Sequence, residues 1–241
     1  MTGEDEEEAP AQHEYFEDIF VEDIGLTWVT SKWDIPDALS PEDAEQHLPE
    51  GGPAAWWLTL PASAVEEFDR SKARQFGQDV RRLVESSLPD ETIRTAWLGA
   101  THGCFDPAEY GFDARTWLRK LEEAWLARVR QDEPAFAPPS PQPVADEDLR
   151  HAVLQAIRPV ADDLSRTVTA ASYGTPAAGL VPALEQVVTQ VCADLGYRLF
   201  LRAMKAYFVE IDKKSHDAFI ALGERFGYPK YLVGDGLNYR E

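Results

Sequence analysis

The stretch DLRHAVLQAIRPVADDLSRTV, residues 148–168, decides the fold. Its apolar residues Leu149, Val153, Ile157, Val160, Leu164 and Val168 recur at three and four, the spacing that lines one face of an α-helix. Pro159 lies inside the run, and the ring removes a backbone donor, so a kink or break is expected near Arg158. A loop at residues 171–176 stops the pattern. Leu184, Val187, Val188, Val191, Leu195 and Leu199 then start a second long helix, expected to run through Met204 to Phe208. A third surrounds Phe219, Ile220, Leu222 and Phe226 and ends at Gly227-Tyr228-Pro229. Three helices on short loops predict a compact bundle over residues 146–241.

Upstream, residues 132–145 hold five prolines and read as an extended spacer, the best candidate boundary in the chain. Residues 25–131 read as an α(+β) domain. Two short runs, Leu26-Thr27-Trp28-Val29-Thr30 and Ala55-Trp56-Trp57-Leu58-Thr59-Leu60, are rich in aromatic and β-branched residues and bounded by Gly or Pro, so they are expected to pair as strands. Ser40-Pro41 resembles a helix start, and Ser63-Ala64-Val65-Glu66 fits a capping box for a helix carrying Phe68, Phe76, Val80 and Leu83 as far as Pro89. Asp90 and Asp113 open two more, the second with a Trp117, Leu121, Trp125 and Val129 stripe. The expected fold is mainly α with a minor β element, an N-terminal α(+β) part and a C-terminal helical bundle.

Charge sets the ends apart. Residues 1–50 carry 16 Asp/Glu against Lys32, a balance of −15, whereas the other 191 residues hold 27 acids and 22 bases, a balance of −5. Such an end repels phosphate backbones and anionic lipid and attracts basic protein surfaces. Nucleic acid and membrane are therefore not expected partners. The acidic start is the reverse of a signal peptide, and no apolar run approaches the roughly 18–20 residues a bilayer needs. Two distant cysteines, Cys104 and Cys192, suit a reducing compartment, so the expected location is cytoplasmic. Residues 1–24 form an acidic arm whose first 14 or so residues are expected to be disordered, while an acidic-hydrophobic mixture follows.

Three groups of residues invite a chemical reading. Thr101-His102-Gly103-Cys104-Phe105-Asp106 packs a His, a Cys and an Asp into five positions, as a thiolate nucleophile with a nearby base would need. The ordinary reading is a loop in which Asp106 caps and Pro107 opens a helical turn. The five histidines lack the close spacing of a zinc helix motif, the cysteines lack that of a zinc finger, and glycine patterns for phosphate are missing, so neither metal nor cofactor is expected. Arg70, Arg74 and Arg81 share a helix face and could receive an acidic partner, although Arg81 with Glu85 reads as self-neutralisation. The sequence thus points to a protein-binding or regulatory protein of inhibitor or immunity type. Glu14, Tyr15, Phe16, Glu17, Asp18, Phe20, Glu22 and Asp23, with an exposed Trp-rich region, would engage a basic protein. The alternative is an enzyme using His102, Cys104 and Asp106; the oligomeric state is left open.

Overall fold

The computed structural model describes residues 23–33, 52–67, 70–143 and 145–240. The chain runs α1 (Leu26–Ser31), α2 (Gly52–Glu67), α3 (Arg70–Val84), α4 (Asp90–Ala100), a 3₁₀ turn (Pro107–Tyr110), α5 (Ala114–Asp132) and α6 (Glu147–Ile157). A second 3₁₀ turn (Arg158–Val160) leads to α7 (Ala161–Ala170), α8 (Leu180–Gln190), α9 (Ala193–Ala206), α10 (Lys213–Arg225) and α11 (Lys230–Gly234). The mainly α class holds. Among the described residues, extended pairing is limited to an isolated parallel bridge between Ile211 and Tyr239.

Both expected strands are helical. Leu26–Thr30 lies in α1, where the hydroxyls of Thr27, Thr30 and Ser31 each donate to the carbonyl three residues back, which holds β-branched residues in a helix. Ala55–Leu60 lies in α2, and Trp57 is buried there against Trp97 and Phe105. Packing of the rings, at about 150–250 Å² of surface each, overrides a local strand preference. Ser63 is consequently not a cap but an interior residue of α2, and Glu66 reaches Arg128 on α5 instead of its own backbone. The signals at Asp90 and Asp113 hold: α4 begins at Asp90, and the Asp113 carboxylate accepts from the Thr116 N–H. Pro159 lies in the 3₁₀ turn between α6 and α7.

The expected second long helix is two. Cys192 is extended (φ −164°, ψ 126°), and α9 folds back on α8 so closely that a Cβ on Gly196 would collide with Val188. Helix α9 is the axis of the molecule. All its residues from Ala193 to Ala206 are buried, and it packs on α1, α4, α6 and α8. Helix α4 in turn packs on α5 as well as on α8 and α9, so one apolar cluster runs from Leu26 to Val233. Five of the seven tryptophans (Trp28, Trp57, Trp97, Trp117 and Trp125) are buried in it, and Trp33 and Trp56 are half-buried against it. The expected exposed Trp-rich region is therefore core; among the described residues, the large apolar rings turned to solvent are Tyr110, Tyr173 and Phe208.

The proline segment lies along α3. Arg81 donates to the Pro138 and Pro139 carbonyls, Gln78 exchanges bonds with Pro139 and Gln142, and Arg82 donates to the Gln142 carbonyl. Proline-rich backbone has carbonyls with few N–H groups to match, and the α3 side chains supply the missing donors. Phe136 meets Trp125 edge-on beneath the Arg74 guanidinium. Arg74 and Arg81 also pair with Glu133, and with Glu85 and Glu122, so this face of α3 is neutralised within the chain.

Candidate interaction site

Helix α9 is apolar on most sides, yet Asp194, Arg198, Arg202 and Lys205 recur on it at helical spacing and are all buried. Isolated charges there would be expensive, so each must find a partner. Arg198 forks onto Asp79 of α3 (Nη1–Oδ2 2.7 Å, Nη2–Oδ1 2.6 Å) and also pairs with Asp194. Asp194 accepts from the Tyr228 hydroxyl, and Arg82 lies 3.6–3.7 Å from both Asp79 and Asp194. Burial opposes ionisation of Asp194, but the Arg198 charge, the Tyr228 hydroxyl and Arg82 outweigh it and hold the carboxyl below its usual range. Burial likewise works against charge on Arg198; Asp194 and Asp79 outweigh it and hold its pKa well above the ordinary value.

This cluster grips the chain where the acidic segment ends. Asp23, 5% exposed, accepts from Arg202 Nη1 at 2.9 Å. The Ile24 carbonyl accepts from Arg198, and the Leu26 N–H donates to Asp79. Gly25 between them has φ +63°, and a Cβ there would run into the Asp79 carboxylate, so glycine is required twice over. Glu14, Tyr15, Phe16, Glu17, Asp18, Phe20 and Glu22 lie outside the described residues. Asp23 is spent on Arg202 and serves as an anchor, not as a contact open to a partner.

At the other end of α1 stands a group of rings. Trp33 stacks on His102 (centroids 4.9 Å, 21°), Tyr207 tilts against the same imidazole at 4.5 Å, and Tyr173 lies parallel to it at 6.4 Å. The loops that bring them together meet backbone to backbone: the Thr175 N–H donates to the Gly103 carbonyl at 2.7 Å, and a Cβ on Gly103 or Gly174 would strike the opposite chain. Burial lowers the His102 pKa, so the ring is neutral near pH 7, and its Nδ1 has no hydrogen-bond partner among the described residues. Burial, then Cys104, pushes the Tyr207 hydroxyl up to about 12.

Two residues here have an unusual backbone. His102 (φ 54°) and Phe208 (φ 50°) are the positive-φ non-glycine residues among those described. Each stands two positions past the last residue of a helix, His102 after α4 and Phe208 after α9. There the N–H one position further returns to the helix, Gly103 to Leu98 and Val209 to Met204, the bond of a Schellman motif. Helix α10 closes with the same bond, Tyr228 to Gly223, around Gly227 at φ 81°. Glycine is the residue such a turn favours. Phe208 there is also 64% exposed.

The His102, Cys104 and Asp106 loop does not assemble a catalytic triad. Arg94 Nε and Nη2 clasp the Asp106 carboxylate, which also accepts from the Ala108 N–H as cap of the 3₁₀ turn. The Arg94 hydrogen bond holds that carboxyl below its usual range against the effect of burial. The Cys104 thiol approaches the His102 carbonyl at 4.0 Å, while the imidazole faces the aromatic rings and, among the described residues, no carboxylate orients its Nδ1. Among the described residues, no cluster of three or more His, Cys, Asp or Glu side chains is placed to hold a metal ion, and no helix is long and apolar enough to cross a membrane. No family model, curated protein or solved structure matches this chain. The buried stripe on α9 and the ring of Phe208 escaped the sequence reading. A charged residue every third or fourth position inside an apolar helix was the available signal for the first.

Proposed function

We propose that the chain is a protein-binding or regulatory protein of inhibitor or immunity type, acting in the cytoplasm, that engages a basic protein through Glu14–Glu22. The observation that carries this reading is the charge balance of −15 in the first 50 residues, set on a chain whose remaining balance is only −5. The anchoring of Asp23 supports it. Three hydrogen bonds from residues 23–26 hold the root of the acidic segment to α9 and α3, so the charge preceding it starts from a fixed point. Clustered charge of this kind speeds encounter with a basic surface and loses strength as salt screens it, over about 8 Å at physiological ionic strength.

The test is capture from a native lysate with salt titrated in the wash. The full chain is compared with the full chain carrying E14Q, E17Q, D18N and E22Q. A basic protein retained by the first, lost from the second and released by salt is the expected result. Equal recovery by both chains at every salt concentration would rule the reading out.

A further inference from the structure

We propose that the proline strap, residues 136–142, is a latch for the start of α1 and that Arg82 works it, independently of any partner. The strap is held along one edge. The carbonyls of Phe136, Pro139 and Gln142 accept from Arg130, Arg81 and Arg82, one residue in three, which is the repeat of a polyproline II segment. Arg130 is exposed and Arg81 partly so, but the Arg82 side chain is only 9% exposed and joins the strap to the interior. It is underbonded there. Nη2 takes the Gln142 carbonyl, whereas Nε and Nη1 have no hydrogen-bond partner among the described residues. Nη1 stands 3.6 Å from Asp79 Oδ1 and 3.7 Å from Asp194 Oδ2, beyond the about 2.7–2.9 Å of a charge-assisted bond. A buried guanidinium left in this state carries an uncompensated desolvation cost. The strap and the two carboxylates compete for one side chain, which gives Arg82 two resting places.

The contested oxygens are part of the hold on α1. Arg198 Nη2 bonds the same Asp79 Oδ1 at 2.6 Å and the same Asp194 Oδ2 at 3.1 Å. Its Nη1 bonds Asp79 Oδ2 and the Ile24 carbonyl, and Asp79 Oδ2 also accepts from the Leu26 N–H. Gln75 donates to Asp79 Oδ1 at 2.8 Å. Each Asp79 oxygen thus already accepts two bonds, which uses both of its lone pairs. Arg82 can bond Asp79 only by weakening a donor already there. With the strap seated, Arg82 is held off and Arg198 keeps these oxygens, so Ile24 and Leu26 are fixed. With the strap lifted, Arg82 moves inward, takes a share of them, and the start of α1 loosens. By linkage the effect is reciprocal: a firm hold on α1 also seats the strap. Arg82 is the two-state element that both ends bias.

Deuterium uptake by the full chain, followed by mass spectrometry, tests this. Two variants loosen the strap without touching the buried cluster. One carries P138G, P139G and P141G, which leave every strap carbonyl in place but free the backbone. The other carries Q78A and R81A, which remove the remaining bonds from α3 to the strap. In both, exchange should rise at Ser140 and Gln142 and, together with it, at the start of α1 by roughly twofold to thirtyfold, while α8 stays as in wild type. In R82K one nitrogen replaces the guanidinium fork, so loosening the strap there should change exchange in α1 by less than about twofold. The two strap variants decide the matter even where R82K fails to fold. A strap that stays protected in both, an α1 whose exchange is unchanged or slowed, or an equal rise in α8 would overturn the latch.

Discussion

At the start of α1, Asp23, Ile24 and Leu26 meet Arg202, Arg198 and Asp79 in a cluster where nearly every charge has a near partner and almost none is exposed. At its far end, Trp33, Tyr173 and Tyr207 stand round the His102 ring, and His102 and Phe208 each take a left-handed backbone that glycine adopts at lower cost. Buried charges are tolerated only when the surrounding protein satisfies them, so the first region is what fixes α1 on α9. A ring 64% exposed on a left-handed backbone, as at Phe208, adds nothing comparable to the fold. The contrast separates residues that hold the root of α1 to the core from one that glycine would replace at a gain in stability.

The largest effect should come from breaking the first region. Arg198→Met leaves Asp79 and Asp194 buried with reduced compensation and is expected to cost about 3–5 kcal/mol in urea unfolding. Adding Asp79→Asn to that variant should recover part of the loss. Asp106→Ala removes both the clasp on Arg94 and the cap of the 3₁₀ turn, for an expected loss of about 1–3 kcal/mol. It should leave capture of the basic protein intact; impaired capture at unchanged stability would return Asp106 to the list of functional residues.

The smallest effect is expected in the pH dependence. His102 has a folded pKa below its unfolded value of about 6.5, so the unfolded chain binds more protons as the solution turns acidic. Its contribution is fully present above pH 6.5 and is lost as the pH falls through the lower folded value. Asp106 and Asp194, also depressed, keep theirs until the pH drops below the carboxylate value of 3.8. Thermal melts from pH 8 to 4.5 should therefore show a shallow decline starting near 6.5 that His102→Asn removes. A decline of equal size in both chains would assign it elsewhere.

What the sequence disclosed follows from range. The period of residues 148–168, the break at Pro159, the helix start at Asp90 and the cap at Asp113 are local, and each is legible from a handful of neighbours. Leu26–Thr30 and Ala55–Leu60 were read as strands because their composition favours pleated backbone. Their helical state depends on contacts far along the chain, such as Leu26 with Asp79 and Trp57 with Trp97. The Asp106 cap was visible, but its clasp by Arg94 was not, since that depends on how α4 and the following loop fold back. Phe208 could not have been singled out, because its left-handed backbone appears only once the end of α9 is placed.

The most direct test of the contrast is the melting temperature of Phe208→Gly beside wild type. A gain of about 1 kcal/mol is expected, which for a chain of this size is a rise of roughly 2–4 °C. A lowered melting temperature would contradict the account: Phe208 would then be holding the fold together, as Arg198 does.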